Sequence, residues 1–107
     1  MPTTIQTISK EELSQKLSEH DRFQLLNVLE PEYYKEGIIR GSRKIPLSQL
    51  DRRFNELDKS QEVVVYCASH DCPASRQAAE ALAAKGFDVK AYEGGIKEWK
   101  EAGLPTE

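Results

Sequence analysis

Glu62-Val63-Val64-Val65-Tyr66-Cys67-Ala68-Ser69-His70-Asp71-Cys72-Pro73-Ala74-Ser75-Arg76-Gln77-Ala78-Ala79-Glu80-Ala81-Leu82 sets a β-branched run, a polar loop and an Ala-rich run in direct succession. Val63 to Val65 favour a strand, and Ala78 to Lys85 a helix that Gly86 stops. Working outward, Phe23 to Leu29 is nearly all apolar and short, as a strand buried on both faces is, and Phe87 to Tyr92 reads as another strand. Ser9-Lys10-Glu11-Glu12 has capping-box spacing, with Ile8 and Leu13 as a staple, and opens a helix over about 10 to 18. Pro31 opens and Gly37 closes a further helix, Arg43 to Pro46 is extended, and Ser48 caps a helix holding Leu50, Phe54 and Leu57. Gly94-Gly95 is a turn before a last helix, Ile96 to Ala102, closed by Gly103. Helices alternating with strands imply an α/β fold, a parallel sheet flanked by helices on both faces, with ligands at the carboxyl ends of the strands.

The 107 residues, 38% hydrophobic, suit one domain spanning residues 1–107 with its core at about 8–104. Only the first few residues and Pro105-Thr106-Glu107 look free to fray. With 15 Lys and Arg against 18 Asp and Glu, the net charge of -3 argues against nucleic acid or an anionic membrane as partner. No apolar run approaches the ~18 residues of a membrane span, and Met1-Pro2-Thr3-Thr4-Ile5-Gln6 lacks a signal-peptide pattern, so a cytoplasmic location is expected.

The chemistry centres on the two cysteines, Cys67 and Cys72. Two are too few for a disulfide framework and read first as thiol chemistry. Cys67 ends a strand and should face the amino end of the next helix, where the dipole and unpaired N–H groups favour a thiolate. The competing reading is a small buried hydrophobe, and exposure decides between them. Burial of Cys67 with the loop N–H groups pointing elsewhere would count against a reactive thiol. Cys72 has three readings: an activated thiol at the helix N-cap with Pro73 at N1, a resolving thiol for Cys67, or a bystander packed under the loop. His70 and Asp71 are a proton shuttle beside the thiolate or a solvated loop tip; Arg76 contacts an anionic donor or faces water. Cys67, His70 and Cys72 make a weak zinc set, because a structural site wants four ligands and His20 is distant in sequence, so no metal is expected. Trp99 and Phe87 read as core; Arg40, Arg43 and Lys44, like Arg52 and Arg53, read as solvated edges.

The segment Leu25 to Pro46 (Leu-Leu-Asn-Val-Leu-Glu-Pro-Glu-Tyr-Tyr-Lys-Glu-Gly-Ile-Ile-Arg-Gly-Ser-Arg-Lys-Ile-Pro) resembles the opening of a rhodanese-like (sulfurtransferase) domain. So do Val63-Val64-Val65-Tyr66-Cys67, Ser75 to Leu82, Lys85-Gly86-Phe87 and Glu93-Gly94-Gly95-Ile96 with Trp99, Gly103 and Pro105. The resemblance covers nearly the whole chain from about Ile8. It implies a catalytic Cys67 that takes a sulfane sulfur from a small donor such as thiosulfate or a persulfide and passes it, as a persulfide, to a thiol or cyanide acceptor, a protein acceptor included. That is covalent catalysis without a dissociable cofactor. Ala68, Ser69, His70, Asp71, Pro73, Ala74, Ser75 and Arg76 then form the active-site and substrate-binding loop, with Cys72 a candidate second thiol.

The chain departs from the family where Asp-Val-Arg is replaced by Asn27-Val28-Leu29 and Gly-His-Ile-Pro-Gly-Ala by Gly37-Ile38-Ile39-Arg40-Gly41-Ser42. The loop after Cys67 is also longer than usual and lacks Gly. Two other functions compete with the sulfurtransferase: a non-catalytic recognition module on the same scaffold, and two-thiol redox or oxyanion chemistry of phosphatase or arsenate reductase type with Cys67 and Cys72. Oxyanion chemistry wants an Arg where Pro73 stands, and thioredoxin-like chemistry wants a shorter cysteine spacing.

Overall fold

The computed structural model describes residues 5–19, 22–68 and 73–106. Five strands, β1 (Gln6–Thr7), β2 (Phe23–Asn27), β3 (Arg43–Lys44), β4 (Glu62–Tyr66) and β5 (Val89–Tyr92), form one parallel sheet in the order β1-β5-β4-β2-β3. The helices are α1 (Lys10–Ser18), α2 (Leu50–Arg53), α3 (Ala74–Ala84) and α4 (Gly95–Glu101). β4 lies at the centre, and Val63, Val64, Val65 and Tyr66 are all fully buried, so both faces of the sheet are covered. Each buried Val contributes about 1.5–3 kcal/mol, which makes β4 the firmest element on which to mount a reactive group.

The helices follow their sequence signals. Ser9 Oγ accepts from Glu12 N at 3.1 Å and Glu12 Oε1 from Ser9 N at 3.3 Å, closing the expected capping box on α1. On α3 the buried stripe is Ser75, Ala78, Ala79 and Leu82; these side chains are short, apart from Leu82, and let the helix lie close to β4 and β5. α3 ends where Gly86, at φ +92°, lets its own N–H reach Ala83 O and that of Phe87 reach Leu82 O. That capping turn uses Phe87, which is why β5 begins at Val89. At the amino end of the sheet Glu62 lies between Lys16 (2.9 Å) and Lys90 (3.2 Å). Burial alone would raise its carboxyl, but the two ammonium groups hold it below the usual carboxylate range.

Several expectations need correction. The sheet has a fifth strand, β1, where the sequence suggested a frayed start; Gln6 and Thr7 are exposed and polar, so no burial pattern announces them. β2 stops at Asn27 because Leu29 N turns to Asn27 Oδ1 at 2.7 Å instead of continuing the ladder. The helix expected from Ser48 to Leu57 is three short pieces, a 3₁₀ turn at Leu47–Gln49, α2, and a 3₁₀ turn at Phe54–Glu56. Ser48 lies inside the first piece, and its Oγ donates to Glu30 Oε1 at 2.7 Å rather than capping a helix. Pro31–Glu36 is likewise 3₁₀. Pro105 and Thr106 are tied down: Trp99 Nε1 donates to Pro105 O at 2.8 Å, and Thr106 forms an antiparallel bridge with Ile39. Among the described residues no helix is long and apolar enough to cross a membrane.

Candidate active site

The register brings the carboxyl ends of β2, β4 and β5 side by side: Asn27 pairs with Tyr66, and Tyr66 with Tyr92. Cys67 follows Tyr66 and is fully buried. Its backbone is clamped. Val28 N donates to Tyr66 O at 3.1 Å, Ile96 N to Cys67 O at 2.9 Å and Lys97 N to Ala68 O at 2.9 Å. The first N–H groups of α4, which have no partner inside their helix, thus close on the chain at Cys67 and Ala68. Gly95 permits this approach, since it sits at φ +65° and a Cβ there would fall 2.5 Å from Cys67 O and 2.6 Å from Ala68 C.

Tyr66 organises the β2 side of the site. Its hydroxyl accepts from Asn27 Nδ2 at 3.2 Å and from Ile39 N at 3.0 Å, and lies 2.6 Å from Ser42 Oγ. Ser42 Oγ donates its hydrogen to Ile39 O at 2.5 Å, so the Tyr66 hydroxyl is the donor in the Tyr66–Ser42 pair. Here the departures from the usual family pattern find their place. Buried Asn27 and Ile39 and half-buried Ser42 form a neutral network pinning the 37–42 turn to the residue before Cys67, and Leu29 is buried two positions on. Asn27→Asp is therefore expected to destabilise by about 2–3 kcal/mol at pH 8, because it replaces a donor with a buried carboxylate that has no cation beside it in this network. The introduced carboxyl would titrate higher folded than unfolded, so the loss should shrink as pH falls below its folded value. Urea midpoints at pH 8 and pH 5 check both sign and size; an equal loss at both would contradict a buried charge.

The remaining site residues divide by element. Ala68 is half-buried and held by Lys97. Pro73 is the N-cap of α3, because Gln77 N bonds Pro73 O at 3.0 Å; this corrects the reading of Cys72 at the N-cap and Pro73 at N1. Ala74 is half-buried, and Ser75 is buried in the first turn. Arg76 is exposed, and its guanidinium donates to Glu93 Oε2 at 3.1 Å. Ser69, His70, Asp71 and Cys72, with His20, lie outside the described residues, so the resolving-thiol and zinc readings have no geometry here. The burial of Cys67 runs against the exposure that a reactive thiol needs, while the N–H groups of residues 69–72 also lie outside the described set.

Sequence reasoning missed Glu93, Glu98, Ser42 and the bonding role of Tyr66. Tyr92 Oη donates to Glu98 Oε1 at 2.7 Å; burial raises the Tyr92 hydroxyl well above its usual range, and the Glu98 and Glu11 carboxylates push it further in the same direction. The signal for Glu93 is the strand register, since it is the first residue beyond β5 just as Cys67 is the first beyond β4.

The rhodanese-like domain family model matches residues 9–102. A sulfurtransferase of Allochromatium vinosum is 31% identical over 102 residues, covering 94% of each chain. An HTH-type transcriptional regulator of Mycobacterium tuberculosis is 34% identical over 83 residues, 78% of this chain but only 37% of the regulator. The crystal structure of a rhodanese-related protein of Thermoplasma volcanium superposes with a TM-score of 0.84 at 29% identity, over 95% of this chain and 97% of that one. With its parallel sheet, its cysteine at the end of the central strand and a match over most of its length, the chain belongs to the rhodanese-like domain family.

Proposed function

We propose that this chain is a sulfurtransferase or sulfur carrier in which Cys67 holds the transferred sulfur. The observation that supports this most is the mounting of Cys67: the first residue beyond the central strand, its flanking backbone held from β2 by Val28 and from α4 by Ile96 and Lys97. The Cys67 thiolate attacks the outer sulfur of a donor R–S–S⁻; the S–S bond breaks, R–S⁻ leaves, and the Cys67 persulfide remains. An acceptor thiolate then attacks the outer sulfur and releases the Cys67 thiolate, so no external oxidant or reductant enters. The N–H groups of Ala74, Ser75 and Arg76, in the first turn of α3, have no carbonyl partner within that helix and suit the persulfide's negative charge. Because Cys67 is buried, each half-reaction needs an opening step before chemistry.

That same burial favours a second reading, a recognition module that never turns over. Kinetics separate the two. Varying a sulfane donor against cyanide as acceptor is expected to give parallel double-reciprocal lines, the mark of two half-reactions through a covalent intermediate. Intersecting lines would contradict a sulfur-loaded Cys67, and absence of turnover with thiosulfate, a thiosulfonate and a persulfide would favour the recognition module.

A further inference from the structure

Arg76, in the first turn of α3, is already paired. Its guanidinium bonds Glu93, and both side chains are partly open to water, at 57% and 37% exposure. The ladder between β4 and β5 ends at the pair Tyr66–Tyr92, so Cys67 and Glu93 are each the next residue beyond it at the same edge of the sheet. The contact of Gly95 with the Cys67 carbonyl, two residues after Glu93, shows that the two chains stay close beyond the strand ends. Glu93 also lines a hollow of about 330 Å³ at the carboxyl ends of β1 and β5, together with Lys10, Glu11, Glu12, Tyr92 and Glu98. Four carboxylates, Glu11, Glu12, Glu93 and Glu98, line this hollow with one cation, Lys10, which itself lies 3.6 Å from Glu11.

We propose that Glu93 is a specificity-determining residue that sets the donor class: by holding Arg76 and adding a charge beside Cys67, it disfavours a dianionic donor such as thiosulfate and favours a sulfane sulfur on a carrier of no net charge. The inference rests on Cys67 being the sulfur-bearing thiol. An exposed ion pair is weak, so its importance lies in local charge rather than stability. A dianion within several ångström of a carboxylate is repelled even in a water-like medium, by roughly tenfold in binding, enough to decide between donors that share one reacting group.

The test compares thiosulfate with 2-aminoethanethiosulfonate, a zwitterion bearing the same sulfane sulfur on a sulfonyl head. Both give the Cys67 persulfide by breaking one S–S bond, leaving sulfite or a sulfinate respectively, so the transferred sulfur is matched and the comparison of each donor between native and variant chains reads the effect of charge. For the native chain, kcat/KM should favour the zwitterion at low salt and the preference should narrow at high salt. Glu93→Gln should raise kcat/KM for thiosulfate by roughly tenfold, mainly through KM, and leave the zwitterion within about twofold. Adding Arg76→Ala should remove part of that gain, the part that the released guanidinium supplies. An equal change for both donors, or an unchanged thiosulfate KM, overturns the assignment to Glu93. Sulfur uptake that survives Cys67→Ser, or no uptake from either donor, instead overturns the reading of the site and the donor inference with it.

Discussion

Gly95→Ala is expected to lower stability by about 2–5 kcal/mol and to cost sulfur-transfer activity beyond that. Two independent effects add. A residue with a Cβ at φ +65° loses about 1–2 kcal/mol, and the new methyl would fall 2.5 Å from Cys67 O and 2.7 Å from Ala68 O, an overpacking that costs about 1–3 kcal/mol. Relief requires α4 to move away from β4, which lengthens the Ile96–Cys67 and Lys97–Ala68 bonds and loosens the backbone at Cys67. Gly103→Ala is the control. Gly103 has a similar φ of +73° but nothing within 4 Å of its added Cβ, so only the backbone cost of about 1–2 kcal/mol applies. Urea midpoints of the two variants, with sulfur transfer measured where each remains folded, separate clash from strain. Equal losses of stability with activity retained would contradict the clamp.

What the sequence disclosed follows from what burial writes into it. Val63 to Val65 and the Ala-rich stripe of α3 are legible because full burial demands an unbroken apolar run in one and small residues at helical spacing in the other. The position of Cys67 at the carboxyl edge follows from those two elements alone. β1 was not legible, since Gln6 and Thr7 are exposed and pair only through their backbone. Leu50, Phe54 and Leu57 have spacing that a continuous helix and a series of short turns satisfy alike, so the break around α2 left no periodic trace. The network of Asn27, Tyr66, Ile39 and Ser42 joins residues up to 39 positions apart, and Glu93 meets Arg76 from 17 positions away. Such partners emerge only once the register is known. The family resemblance points to Cys67 but not to these contacts: Asn27 and Ser42 stand where this chain departs from the usual pattern, and the Arg76–Glu93 pair joins two separate matching segments.

Cys67→Ser is expected to abolish sulfur transfer, a fall of at least about 1,000-fold, because an alcohol at this position offers neither the thiolate nor the S–S bond on which both half-reactions depend. The substitution is nearly isosteric and leaves the backbone bonds of Val28, Ile96 and Lys97 intact, so the fold should persist and the loss should be chemical. Intact mass after exposure to a sulfane donor and then to an acceptor thiol, with peptide mapping, tests this most directly in the native chain, Cys67→Ser and Cys72→Ser. A gain of one sulfur atom on the Cys67 peptide, removed by the acceptor and absent in Cys67→Ser, is the predicted result. Sulfur gained elsewhere with Cys67 replaced, or none gained by the native chain, would contradict Cys67 as the sulfur-bearing thiol.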